Sequence, residues 1–252
     1  MSSRPRHTER RAENIRLAVQ PVSTLALVVG VVWWGFDREP TVTQQASMNA
    51  GALATAVREH VVITATVIAI VVAVAVPLGV LLTRPRYRRL APIFIGIANI
   101  GSAAPTIGLI VLVYLWTQRT GFWVGVGPIA FYSLLPVLRN TILGFEQVDP
   151  MLIDAGRGQG MSAPTVLRRI EFPLAVPYIL AGLRTSLVLA VGTATLSFLV
   201  SAGGLGTLID TGYKLRDTVT LWVGALLAVA LALLVDWLGA LAERFLGPRG
   251  VS

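Results

Sequence analysis

The sequence has no cysteine and only two histidines, His7 and His60. The first absence excludes a disulfide framework, a thiol nucleophile and a cysteine-based metal site. The two histidines are far apart in the chain, one in a basic tail and one beside an apolar span. They are read as solvated or interfacial side chains, and no metal site or nucleophile–base pair emerges, so the chain is not read as an enzyme. Charge is scarce too: 13% of residues are charged against 54% hydrophobic, and the mean hydropathy is +0.71. No ionisable residue sits at the centre of an apolar span. Arg184 and Asp236 come nearest, both toward the same half, where they can pair with each other. That scarcity argues against a proton- or ion-coupled carrier, which needs intramembrane relays. The glycine-rich run Gly156–Gly160 has no preceding strand and no following Lys-Ser/Thr, so it is not a phosphate loop.

What is present is apolar length. Six segments are long enough to span a bilayer, at roughly 17–36, 61–83, 90–117, 122–144, 174–200 and 219–241. The chain is therefore read as an all-α integral membrane protein. The net charge of +8 does not point to nucleic acid, because the arginines cluster between spans rather than along one exposed face. Sixteen of the 21 basic residues fall on one side of the bilayer, among them Arg4, Arg6, Arg10, Arg11, Arg84, Arg86, Arg88, Arg89, Arg157, Arg168 and Arg169. The other five, Arg38, Arg58, Arg119, Lys214 and Arg216, fall on the opposite side. By the positive-inside rule both termini are cytoplasmic.

The parts follow in order: a basic tail at 1–16, a first span with an outer segment at 17–60, a core at 61–243 and a tail at 244–252. A basic start before an apolar run also describes a cleaved signal peptide. Here the run ends in Trp33-Trp34-Gly35-Phe36, an interfacial pattern with no small-residue cleavage site nearby, so a retained span is favoured. Residues 49–60 fit a short helix along the membrane surface, with Leu53, Ala56 and Val57 inward. The segment 201–217 carries Gly203, Gly204 and Gly206 and is apolar enough to dip back toward the membrane.

The third and fifth spans carry the polar residues. Asn99, Ser102 and Thr106 recur at i, i+3 and i+7, with Pro105 expected to kink the helix. Ser186, Thr193 and Ser197 recur on one face of the fifth span. Small and hydroxyl residues either pack helices closely or line a polar route, and both readings stay open for these six.

Between the fourth and fifth spans lies D-A-G-R-G-Q-G-M-S-A-P-T-V-L-R-R-I-E-F-P, residues 154–173. Asp149 and Pro150 begin a short helix ending near Arg157. Gly158 and Gly160 break it, and Ser162 can cap a second short helix. Two short helices joined by a glycine corner form a knob that a partner's groove can hold.

This segment resembles the cytoplasmic coupling motif of ABC importer permeases. Asp154, Ala155 and Gly156 stand where that motif has E-A-A, Gly160 follows after three residues, and Ile170, Phe172 and Pro173 follow nine residues later. The departures are Asp for Glu, Gly for the second Ala and Phe for Leu. L-L-P-V-L-R-N-T, L-R-T-S with V-G-T-A-T, and A-G-G-L-G make residues 61–243 similar to permeases of osmoprotectant importers for glycine betaine, carnitine or choline. In the third span N-I-G-S-A-A-P-T departs from that family's N-I-x-Q-T-I-P-S.

The resemblance implies a multi-pass subunit of a prokaryotic plasma membrane, paired with a second permease chain. Cytoplasmic ATPases, which would bind ATP and Mg themselves, would dock on Asp154, Ala155, Gly156, Gly160, Met161, Ser162, Ile170 and Pro173. An extracytoplasmic binding protein would deliver the solute, and the permease itself would carry no cofactor. Another small solute, such as an amino acid, is the nearer alternative, and a channel or scaffold without an ATPase is the more distant one.

Overall fold

The computed structural model describes residues 5–36 and 42–246, with side chains in the first helix from Leu17 onward. Arg38, Arg249 and the His7 side chain lie outside the described set. Among the described residues the elements are all helical. They are α1 (Pro5–Phe36), α2 (Val42–Ser47), α3 (Ala50–Leu82), α4 (Ala91–Ala103), α5 (Thr106–Thr117), α6 (Phe122–Glu146), α7 (Pro150–Gly158), α8 (Ala163–Val166), α9 (Phe172–Ala194), α10 (Gly206–Lys214) and α11 (Thr218–Leu246). Among the described residues five helices are long and apolar enough to cross a membrane, and the bent pair α4–α5 is apolar enough to count as a sixth if taken as one span.

Two expectations about length change. Residues 50–60 are not a separate surface helix, because they open α3, which runs unbroken for 33 residues. Asn49 caps it by accepting from the Ala52 amide at 2.9 Å. Leu53 and Ala56 are buried as expected, but against α1, α10 and α11. The second difference is α8, which passes through a π turn at Leu167–Glu171 into α9. The helix after the glycine corner is therefore the start of the fifth crossing and not a separate short helix.

The third crossing is broken, not kinked. Ala104 is extended, with ψ 139°, as a residue before proline prefers, and α4 and α5 meet at 99°. Thr106 therefore lies on a different helix from Asn99 and Ser102, and the single polar face expected for the three does not exist.

The core forms where α3, α6 and α9 pack. Ile63, Val67, Val71 and Ala75 recur every fourth residue on α3 and are fully buried, facing Ile129, Val137 and Leu138 of α6. Glycine brings α6 and α9 close, since a Cβ on Gly182 would meet the Pro136 carbonyl oxygen at 2.7 Å. The contacts run α3 antiparallel to α9. One end of the bundle carries α7, α8 and most of the described arginines, and the other carries α2, α10, the segment 201–205 and Arg58, Arg119 and Arg216.

A polar network joins α1, α9 and α11. Arg184 donates to both Asp236 oxygens at 2.6 and 3.0 Å and to Glu243 at 3.2 Å. Gln20 donates to Asp236 at 3.0 Å. Arg184 and Asp236 thus form the pair their positions allowed, and in an apolar layer each needs the other. The segment 201–217 packs on its neighbour: α10 lies along the start of α11, close enough that a Cβ on Gly212 would strike the Leu221 backbone.

Candidate functional site

At the arginine-rich end the knob forms as its turn chemistry dictates. The Asp149 carboxylate accepts from the Met151 amide at 2.8 Å and starts α7. The helix ends in a Schellman arrangement: Met161 N–H bonds the Gly156 carbonyl and Gly160 N–H bonds the Arg157 carbonyl. Gly160 takes φ +81° there, a conformation that favours glycine. Ser162 stands at the N-cap of α8, but its hydroxyl meets the Thr165 hydroxyl at 2.9 Å rather than a backbone amide.

Gly156 is the contact point of the knob. It is the buried residue of α7, and an added Cβ would meet Ile170 Cδ1 at 2.6 Å and Met161 Sδ and Val166 Cγ2 at 3.6 Å. Its helix-weakening effect, about 1 kcal/mol against Ala, accompanies a close approach of α7 to the chain that leads into α9. Asp154 and Ala155 are exposed beside Met151 and Leu152, which gives the knob an outward face with apolar and acidic parts. Ile170 is half-buried and Pro173 is exposed.

The π turn holds a residue that the sequence reading passed over. Glu171 is buried, and Arg84, just past the end of α3, binds it with both nitrogens, Nη1 to Oε1 at 3.1 Å and Nη2 to Oε2 at 2.5 Å. Arg84 Nε also donates to the Val80 carbonyl, and the guanidinium lies 5.6 Å over the Phe145 ring. The available signal was an acidic residue between Ile170 and Phe172, which an apolar setting obliges to find a cation.

At the opposite end α3 makes a second set of polar ties. His60 is fully buried, which corrects its reading as solvated or interfacial. Its Nδ1 accepts from the Leu205 amide at 3.3 Å, so Nε2 carries the proton and donates to the Val191 carbonyl at 3.0 Å. Glu59 accepts from the Gly204 amide at 2.9 Å. Gly203 and Gly204 have φ of +87° and +93°, so the A-G-G-L-G run is a turn sewn onto α3. Ser197 donates to the Gly203 carbonyl at 2.7 Å and braces the turn from the other side. Among the described residues no cluster of three metal-ligating side chains occurs.

Residues 75–247 match the family model described as binding-protein-dependent transport system inner membrane component. The chain belongs to this family. It is 37% identical over 211 residues to the choline transport system permease protein OpuBB of Bacillus subtilis, covering 84% of this chain and 96% of that one. It is 36% identical over 207 residues to the osmoprotectant import permease protein OsmW of Salmonella typhimurium, covering 81% and 95%. A solved structure of the MetNI methionine ABC transporter in an inward-facing conformation shares the fold, with TM-score 0.68 at 23% identity over 78% of this chain and 96% of that chain. The chain is thus a multi-pass permease subunit of the ABC importer kind, a transport component.

In this permease the six hydroxyl and amide residues do not form one set. Ser186 is fully buried and donates to the Ser133 carbonyl of α6 at 2.5 Å, so it ties two helices. Ser197 is equally buried in the turn contact just described, and Thr106 is buried at the start of α5. Asn99, Ser102 and Thr193 keep part of their surface open. Asn99 accepts from Arg139 at 3.0 Å, and Thr193 satisfies its hydroxyl on the Leu189 carbonyl of its own helix.

Proposed function

We propose that this permease forms the membrane pathway of an ATP-driven importer for quaternary ammonium osmoprotectants such as glycine betaine, carnitine and choline. The observation that carries the reading is the exposed knob at 150–166, continuous with a crossing helix, in a chain whose relatives transport choline and osmoprotectants. A rigid knob fused to a spanning helix is suited to turning a partner's movement into helix displacement.

The assembly is two permease chains, each engaging one ATPase through the knob, with Asp154, Ala155, Gly160, Met161, Ser162 and Pro173 toward the partner and Gly156 packed on Ile170 to hold the knob's shape. The arginine-rich end is cytoplasmic, and a binding protein delivers solute at the end carrying α2 and α10. The ATPases hold ATP and Mg. Their closure pushes the knobs and rocks the pair from inward-open to outward-open. Quaternary ammonium groups are recognised by cation–π attraction in aromatic cages, which here belong to the binding protein. The permease route is then weakly polar and of low affinity, with the open surfaces of Asn99, Ser102 and Thr193 as its polar points. Ser186, Ser197 and Thr106 support its walls.

The test is reconstitution of the permease with its ATPase and binding protein in liposomes. ATP-dependent uptake of radiolabelled glycine betaine, carnitine or choline, abolished by Asp154→Lys with Ala155→Arg in a permease that still inserts, is the expected result. Uptake of amino acids alone would overturn the substrate class. Solute flux without any ATPase would overturn the importer.

A further inference from the structure

We infer that α3 is a strut that carries the displacement of the knob to the glycine turn at the opposite end of the molecule. The inference rests on the importer reading and specifies its internal mechanics. Three observations carry it: where α3 is tied, how those ties are built, and what they hold.

The helix is gripped at both ends by polar groups, of which His60 and Glu171 are buried, and packed by apolar residues between them. Arg84 grips Glu171 with two parallel bonds at the arginine-rich end. Glu59 and His60 grip the Gly204 and Leu205 amides and the Val191 carbonyl at the other. The ties are 24 residues apart, about 36 Å at 1.5 Å per helical residue, somewhat more than the thickness of a bilayer core, about 30 Å. Between them α3 is continuous, with Pro77 the one proline inside it. Its inner face, from Ile63 to Ala75, is fully buried.

The attachments are unequal in kind. Glu171 sits in the π turn, where the helical ladder is already loosened and the knob joins α9. Such turns are short departures from α-geometry that often mark functional positions. Gly203 and Gly204 sit where the 3₁₀ continuation of α9 reverses, at backbone angles that few other residues share. Each tie therefore joins the stiff α3 to a pliant point of the α9 chain. A push on α7 and α8 that shifts Glu171 must drag Arg84 or break two charge-assisted bonds to a buried carboxylate. If the bonds hold, α3 moves, and Glu59 and His60 move the turn with it. Glu171 and Arg84 are positioning residues here, since they touch neither nucleotide nor solute.

The experiment uses the assembled, purified complex in detergent, so that it does not depend on membrane orientation. The chain has no cysteine, and Ser201→Cys, at an exposed position of the turn, supplies a single reporter thiol. The labelling rate is measured with and without a non-hydrolysable ATP analogue. Arg84→Met with Glu171→Gln removes the tie without leaving an unpaired buried charge, and Arg84→Glu with Glu171→Arg exchanges the charges. Size-exclusion profiles report assembly.

The expected result is an ATP-dependent change in labelling in the parent, its loss in the neutral double variant with assembly intact, and its partial return in the exchanged pair. A change retained in the neutral variant overturns the strut alone. Equal loss in the exchanged pair, with assembly intact, also overturns it. No change in the parent overturns the strut alone when the same complex still takes up solute with ATP in liposomes, and absence of that uptake overturns the importer reading with it.

Discussion

Replacing His60 by Phe is the most direct test of the tie at the glycine turn. The ring stays, so no large cavity opens, but both nitrogens go. Two groups then lose their partners: the Leu205 amide and the Val191 carbonyl. A buried donor or acceptor left unsatisfied costs about 1–3 kcal/mol, so the pair costs roughly 2–6 kcal/mol by that principle. Space adds to this. A Cβ on the neighbouring Gly204 would lie 3.2 Å from Nδ1, so the extra CH groups of Phe press on the turn rather than fill a void. At about 2–4 °C per kcal/mol for a chain of this size, the midpoint of thermal unfolding falls by roughly 10 °C. The assay is a thermal series in one detergent followed by fluorescence-detected size exclusion, with the parent chain alongside. His60→Gln, which keeps a donor and an acceptor on a more flexible stem, should fall between the two. A His60→Phe protein that melts within about 2 °C of the parent, less than even 1 kcal/mol would shift it, refutes the bonding assigned to the ring.

Further outcomes concern the knob, the route and the orientation. Gly156→Ala gains about 1 kcal/mol of helix propensity and loses about as much in turning Ile170 aside, so ATPase coupling stays near the parent level. Gly156→Leu wedges α7 off the π turn and abolishes coupling, measured as solute-stimulated hydrolysis in liposomes. Thr193→Trp blocks uptake in a fully assembled complex, whereas Thr193→Ala costs less than about 1.5 kcal/mol, the usual worth of one hydrogen bond; normal uptake by assembled Thr193→Trp would remove Thr193 from the route. Ser162→Cys is shielded from an impermeant thiol reagent in intact cells while Ser47→Cys is labelled, and the reverse pattern would invert the proposed orientation.

The knob was legible because its shape is made locally. Asp149 before Pro150 caps a helix, and a glycine at Gly160 ends one, wherever the rest of the chain goes. The number of crossings was legible for a similar reason, since apolar length needs no partner to be recognised. The ties of α3 were not. Arg84 and Glu171 are 87 residues apart, and Glu59 and Gly204 are 145 apart, so nothing in either neighbourhood names the other. Helical spacing on the fifth span cannot say what each residue meets, and it does not hold through Ser197, which lies in the 3₁₀ turn after α9. Ser186 meets the α6 backbone, which makes it a helix tie instead of an open polar point. Pro105 was under-read: its own ring suggested a kink, whereas its effect on Ala104 produced a full break.

The length of α3 has a consequence for how the protein holds together. Thirty-three residues make about 50 Å of helix, and a hydrocarbon core is about 30 Å thick. The excess begins near Arg58-Glu59, and beyond it Met48, Leu53 and Ala56 are buried against Leu208 and Val223. On the proposed placement the part of that cluster around Met48, Leu53 and Leu208 lies beyond the hydrocarbon layer and faces water, whereas the one around Ile63 to Leu138 lies within it. Water drives the first together and gives the second no such help, because lipid tails are as apolar as leucine. Hydrophobic association weakens on cooling and in urea. The outer cap should therefore loosen in the cold or in mild urea while the membrane bundle stays intact, so these two clusters obey different solvents.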